Sequence, residues 1–95
     1  MAKGYLIAHI KVHDKEKFAD FAQMSTPVIS EHGGTVLVRN PTPEVREGRN
    51  SGIAIVIEFE SIECARNFYE SEKYIKARAV RELASEAELI LVEGV

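Results

Sequence analysis

His9 and Glu58 are the two residues of this chain best suited to acid–base chemistry. Each lies in a segment of alternating apolar residues, and the two segments read as neighbouring strands. A histidine beside a carboxylate in a partly dry cavity can act as a general base, its pKa raised by the charge and lowered by burial. The competing use is a hydrogen-bonded pair that satisfies two polar groups at an interface. Arg39 closes another strand-like run. Its planar fork can grip a carboxylate or phosphate, and an ion pair with Glu47 across a hairpin is the alternative. Tyr69 and Tyr74 flank Ser71 at a helix junction. They can line a pocket and donate hydrogen bonds, or serve as half-buried core residues with a wet hydroxyl. Arg78, one turn beyond Tyr74, can bind an anion or pair with Glu82 on the surface. In the enzyme reading His9 is the base, Glu58 orients it and Arg39 holds a substrate anion.

Other polar residues carry less. His9 and His13 would stand about 13 Å apart along a strand, too far to share one metal. His32 precedes Gly33-Gly34 where a helix ends, a place the helix dipole already favours for histidine. Cys64 reads as a buried, inert thiol. Lys73, Lys76, Arg78 and Arg81 are diluted by Glu70, Glu72, Glu82 and Glu86, which reads as a solvated helix face. The 95 residues carry a net charge of −3, with 45% hydrophobic and 28% charged residues. That balance fits one globular domain and argues against a nucleic-acid partner. A single cysteine rules out an intrachain disulfide. The first apolar run is short and broken by His9 and Lys11. No signal peptide, membrane span, metal or cofactor is expected, and the cytoplasm is the expected compartment.

The elements that must position these residues follow from periodicity. Residues 5–12 alternate, with Leu6, Ala8, Ile10 and Val12 on one face. Asp14 is a helix N-cap, and Phe18, Phe21, Ala22, Val28 and Ile29 recur at helical spacing. Pro27 predicts a kink, or a fresh start capped by Thr26. Gly33 ends the helix in a left-handed conformation. Residues 35–39 form a second strand. Residues 40–52 form a long connection rich in Pro, Gly and Asn, with room for a short strand at 44–47. Residues 53–59 form the third strand. Ser61 and Ser71 cap two further helices, and residues 87–92 form the last strand. Two strand–helix–strand units in one small domain predict a ferredoxin-like α+β fold, βαββαβ. Its four-stranded antiparallel sheet has strands one and three central and the helices on one face.

That arrangement leaves Tyr5, Ile7, His9, Ala54, Val56 and Glu58 on an uncovered face. It is extended by Leu37 or Val38 and by Ile90 or Leu91. Monomers rarely expose such contiguous apolar surface. A homodimer packed sheet to sheet would bury it and leave a cavity suited to a small ligand.

In its ordered residues the chain resembles the family called domain of unknown function 1330, of the dimeric α/β-barrel superfamily. The resemblance runs through Asp14, Phe18, Phe21, His32-Gly33-Gly34, Arg39, Glu47-Gly48 and Glu58-Phe59. It continues through Ala65, Phe68-Tyr69, Ser71, Tyr74, Arg78 and Val92-Glu93-Gly94. Phe18 and Phe21 replace tyrosines common in that family, no Trp-Pro pair stands near residues 49–52, and Glu72 stands where proline is common. The resemblance implies the fold and dimerisation. The wider superfamily spans cofactor-free monooxygenases, isomerases, haem enzymes and regulatory domains, so fold does not choose the activity. Three functions remain: a cofactor-free enzyme acting on a small anionic or enolisable substrate, a ligand-binding or regulatory module without chemistry, or a purely structural dimerisation domain.

Overall fold

Alternating apolar residues and well-placed caps divide the described residues into seven elements. In order they are β1 (Gly4–Val12), α1 (Lys15–Glu31), β2 (Thr35–Asn40), β3 (Ile53–Phe59), α2 (Ile62–Glu70), α3 (Glu72–Ala84) and β4 (Ser85–Glu93). The computed structural model describes residues 2–49 and 52–95. Each helix begins where a short polar side chain accepts an otherwise orphaned N–H. Asp14 Oδ1 accepts from the Lys17 N–H at 3.1 Å, Ser61 Oγ from Cys64 at 3.1 Å, and Ser71 Oγ from Tyr74 at 3.2 Å. α1 closes through His32 and Gly33, the latter at φ +72°.

Pro27 does not start a new helix. α1 runs through it as one 17-residue element, and the Thr26 hydroxyl donates back to the Ala22 carbonyl at 2.7 Å instead of capping. No strand forms at residues 44–47, where Arg46 pairs with Glu44 on the surface. The sequence-based boundaries of β3 match, while β1, β2 and β4 extend by one to three residues at their ends.

The sheet order is β2-β3-β1-β4, antiparallel throughout, so the first and third strands are central. Leu6, Ala8 and Ile10 face Ile57, Ile55 and Ile53 on one side and Leu91, Leu89 and Ala87 on the other. Leu6, Ala8, Ile10 and Ile57 form the core beneath the helices with Phe59, Phe21, Val28, Ile29, Ala65, Phe68, Tyr74 and Ala77, and Ile53, Ile55, Leu89 and Leu91 pack against it half-buried. Within it Phe68 packs on Tyr74 and Phe59, with ring centroids 4.5 and 5.3 Å away. A bulge between Val36 and Val38 absorbs Leu37.

The opposite sheet face carries three rows that cross all four strands. The middle row is Val38, Val56, Ile7 and Ile90, apolar from edge to edge. It is flanked by Thr35, Glu58, Tyr5 and Val92 on one side and by Asn40, Ala54, His9 and Glu88 on the other. Of the alternatives left open by the sequence, Val38 and Ile90 are thus on the uncovered face, while Leu91 packs against the core.

Candidate functional site

α1 packs closely against α3 and stands farther from the sheet, over which it places Phe21, Val28 and Ile29. The consequence is a cavity of about 150 Å³ between the sheet and α1. Its floor is Leu6, Ala8, Ile10, Ile53, Ile55 and Ile57, and its roof is Phe18, Phe21, Ala22, Ser25 and Ile29. Phe68 and Tyr74 close one side, and Arg39 stands on the lining from edge strand β2. An apolar cavity of this size holds a single ring such as benzene. Polar groups are few. Ser25 is buried, and its hydroxyl is turned to the Ala22 carbonyl at 3.4 Å. The Tyr74 hydroxyl is pushed above its ordinary pKa by burial, and the positive charge of Arg81 offsets part of that rise.

Because that pKa is higher in the folded chain than in the unfolded one, the neutral phenol contributes stability at pH values below about 10. The contribution is lost as pH rises through the folded pKa. Denaturant titrations from pH 8 upward should show wild type losing stability faster than Tyr74→Phe. Parallel curves would show that Tyr74 contributes nothing to that limb.

The residues singled out from sequence divide between the two faces of the sheet. Arg39 and Tyr74 reach the cavity. Tyr69 and Arg78 stand behind it: the Tyr69 ring is 5.4 Å from that of Tyr74, and the Arg78 guanidinium lies 5.1 Å above the Tyr69 ring. Among the described residues the ion pairs are Lys3–Glu60, Arg46–Glu44 and Lys73–Glu31, so Arg39 is not held by Glu47.

His9 and Glu58 share the uncovered face, but the register separates them. His9 lies opposite Ala54 and Glu88, and Glu58 lies opposite Tyr5, four residues along β1. Four residues of strand span about 13 Å. Glu58 instead accepts a hydrogen bond from the Tyr5 hydroxyl at 3.0 Å, which raises the pKa of Tyr5. His9 lines a shallow space with Pro43, Glu44, Val45, Arg46, Glu47 and Arg49, where the β2–β3 connection bends back over it. His32 serves the fold: its Nδ1 lies 2.9 Å from the Val28 carbonyl, and its ring meets the Phe68 ring edge to face.

The reading of Lys73, Lys76, Arg78 and Arg81 as one solvated helix face fails at Arg81, which is buried. It is 6% exposed, its guanidinium lies 5.8 Å from the Phe21 ring centroid, and its Nε is buried without a hydrogen-bond partner. The signal was present in its spacing. Tyr74, Ala77, Arg81 and Ala84 recur at steps of three and four, so Arg81 stands on the buried stripe of α3.

A βαββαβ sheet with one covered face, one apolar open face and a cavity under the helices defines a ferredoxin-like α+β fold. The chain belongs to the family described as domain of unknown function 1330, whose sequence profile matches residues 3–95. No curated protein sequence matches it. Among solved structures it is similar to the RPA0582 protein of unknown function from Rhodopseudomonas palustris, at 16% identity and a TM-score of 0.80, covering 99% of this chain and 83% of that one. It is also similar to SnoaB, a cofactor-independent oxygenase from Streptomyces nogalater, at 11% identity and a TM-score of 0.67, covering 97% and 92%. A conserved protein of unknown function from Bacteroides thetaiotaomicron aligns at 10% identity and a TM-score of 0.67, covering 97% of each chain. At these identities the likeness concerns the fold alone. No helix among the described residues is long and apolar enough to cross a membrane.

Proposed function

We propose that the protein binds a small, mainly apolar molecule in the cavity beneath α1, and that it works as a homodimer joined through the open faces of two sheets. The observation that carries the binding reading is the cavity itself: about 150 Å³, lined by aliphatic and aromatic side chains, with Arg39 and Tyr74 as its polar points. Binding sites are typically of this kind, apolar with a few placed polar groups. Arg39 is exposed on an edge strand, so it meets the ligand at the cavity rim. The dimer reading rests on the apolar middle row of the open face.

A filled cavity tests the binding reading. Ala22→Phe places a ring in the space from the roof. Calorimetric titration with single-ring probes such as benzamide should show binding to wild type and at least a tenfold loss in this variant, with its melting temperature held. Ala22→Leu serves if the phenylalanine disturbs folding. Equal affinity in wild type and filled variants would place the ligand elsewhere, and no binding to wild type would return the domain to a purely structural dimerisation role.

A second reading, cofactor-free turnover of the bound molecule, is favoured by one observation: the fold similarity to SnoaB. That is an argument by analogy. In it Tyr74 is the titratable group at the cavity, whereas His9 and Glu58 act only on a molecule held between the two sheets. Turnover of a ligand that co-purifies separates an enzyme from a sensor.

A further inference from the structure

Arg81 sets a permanent positive charge on a residue only 6% exposed, its Nε among the buried atoms. A buried guanidinium is unfavourable unless it is paired and its donors are satisfied. Here compensation is partial. The Phe21 ring provides a cation–π contact at 5.8 Å, and the Tyr74 hydroxyl lies within the influence of the charge. No carboxylate pairs with Arg81 among the described residues, and its Nε–H donates to nothing. Phe21 and Tyr74, the two rings that Arg81 meets, are both walls of the cavity. The charge therefore stands behind the cavity lining, with the Phe21 ring between it and the ligand space.

We propose that Arg81 makes this cavity selective for anions: an aromatic or short branched carboxylate, or an enolate, over a neutral molecule of the same shape. The inference rests on the cavity being the binding site and adds the charge class of its ligand. The field of Arg81 crosses a low-dielectric wall, where Coulomb interactions are strong. Arg39 carries the same sign but is exposed, so water and salt screen it. The buried arginine, not the one at the rim, is the selecting residue. It is a positioning and specificity residue, since the Phe21 ring intervenes between it and the ligand.

Benzoate and benzamide have nearly the same shape and differ in charge. At pH 7 wild type should bind benzoate at least tenfold more tightly than benzamide. Arg81→Met keeps the apolar stem and removes the charge. It should bring the two affinities to within about threefold of each other while benzamide binding persists. Arg39→Ala should change the ratio less. A merely structural arginine would weaken both ligands together and leave the ratio intact, and that result overturns the proposal. Benzamide binding with no preference in wild type overturns it too, and leaves the cavity reading standing. Binding of neither probe defeats both readings. If Arg81→Met does not fold, the wild-type protein decides: the Arg81 Nε–H proton–nitrogen resonance should shift on adding benzoate and stay in place on adding benzamide. Identical responses to the two probes refute the assignment.

Discussion

Val56→Glu is expected to convert a dimer into a monomer or to prevent accumulation of folded protein. Val56 sits at the centre of the open face, opposite Ile7 on one side and Val38 on the other. Ile7 in turn faces Ile90, which is 54% exposed in the single chain. A second sheet laid across this row buries it. A glutamate at its centre would then leave a carboxylate dry and unpaired, at a penalty of several kcal/mol even after relaxation. Sedimentation at low micromolar concentration should give about twice the mass of one chain for wild type and one chain mass for the variant. Val56→Leu, which keeps the row apolar, should remain dimeric. A well-folded dimer carrying Val56→Glu would show that the sheets do not meet through this face.

Phe68→Ala should be the most destabilising single truncation in the core. Phe68 is 1% exposed and touches three other rings: Tyr74 at 4.5 Å, Phe59 at 5.3 Å and His32 at 5.9 Å between centroids. It joins α2 to the sheet, to α3 and to the end of α1 at once. Truncating a buried phenylalanine costs about 3–5 kcal/mol, against a total stability of about 5–15 kcal/mol for a typical domain. For a chain of this size that corresponds to a fall in melting temperature of at least about 12 °C. Phe68→Leu retains most of the volume and should lose about half as much or less. A loss below about 1 kcal/mol for the alanine variant would mean that the neighbouring rings collapse into the space. Because Phe68 also lines the cavity, the alanine variant should accept larger probes wherever it stays folded.

Much of the fold was legible in the residues because the signals are local. Strand alternation, the caps Asp14, Ser61 and Ser71, and the left-handed Gly33 each depend on neighbours within a few positions. Two strand–helix–strand units and the right-handed crossover rule then leave few topologies, and the order β2-β3-β1-β4 is the expected one. Which side chains of β1 and β3 face the helices was equally readable, since a strand has a period of two, whereas the faces of β2 and β4 stayed open until their pairing placed Val38 and Ile90 on the uncovered side.

The partner of each residue across the sheet was not readable, and the reason is the same period. Sliding β3 by two residues along β1 keeps every side chain on its own face, so the hydrophobic pattern cannot tell the registers apart. Long-range pairing decides it, and it places Glu58 against Tyr5 and His9 against Ala54. The cavity also arises only in three dimensions, because it depends on α1 leaning on α3 and leaving the sheet beneath it partly bare. Arg81 shows both levels together. The charge run read as a solvated helix face, although the spacing of Arg81 matches the inner stripe of α3, and the packing of α1 against that stripe makes it a mostly buried charge behind a ring-lined cavity. Residue pattern thus determined the elements, the faces of the two central strands and the strand order. Tertiary packing decided which polar groups meet and where an empty space remains, because those depend on distances between residues far apart in the chain.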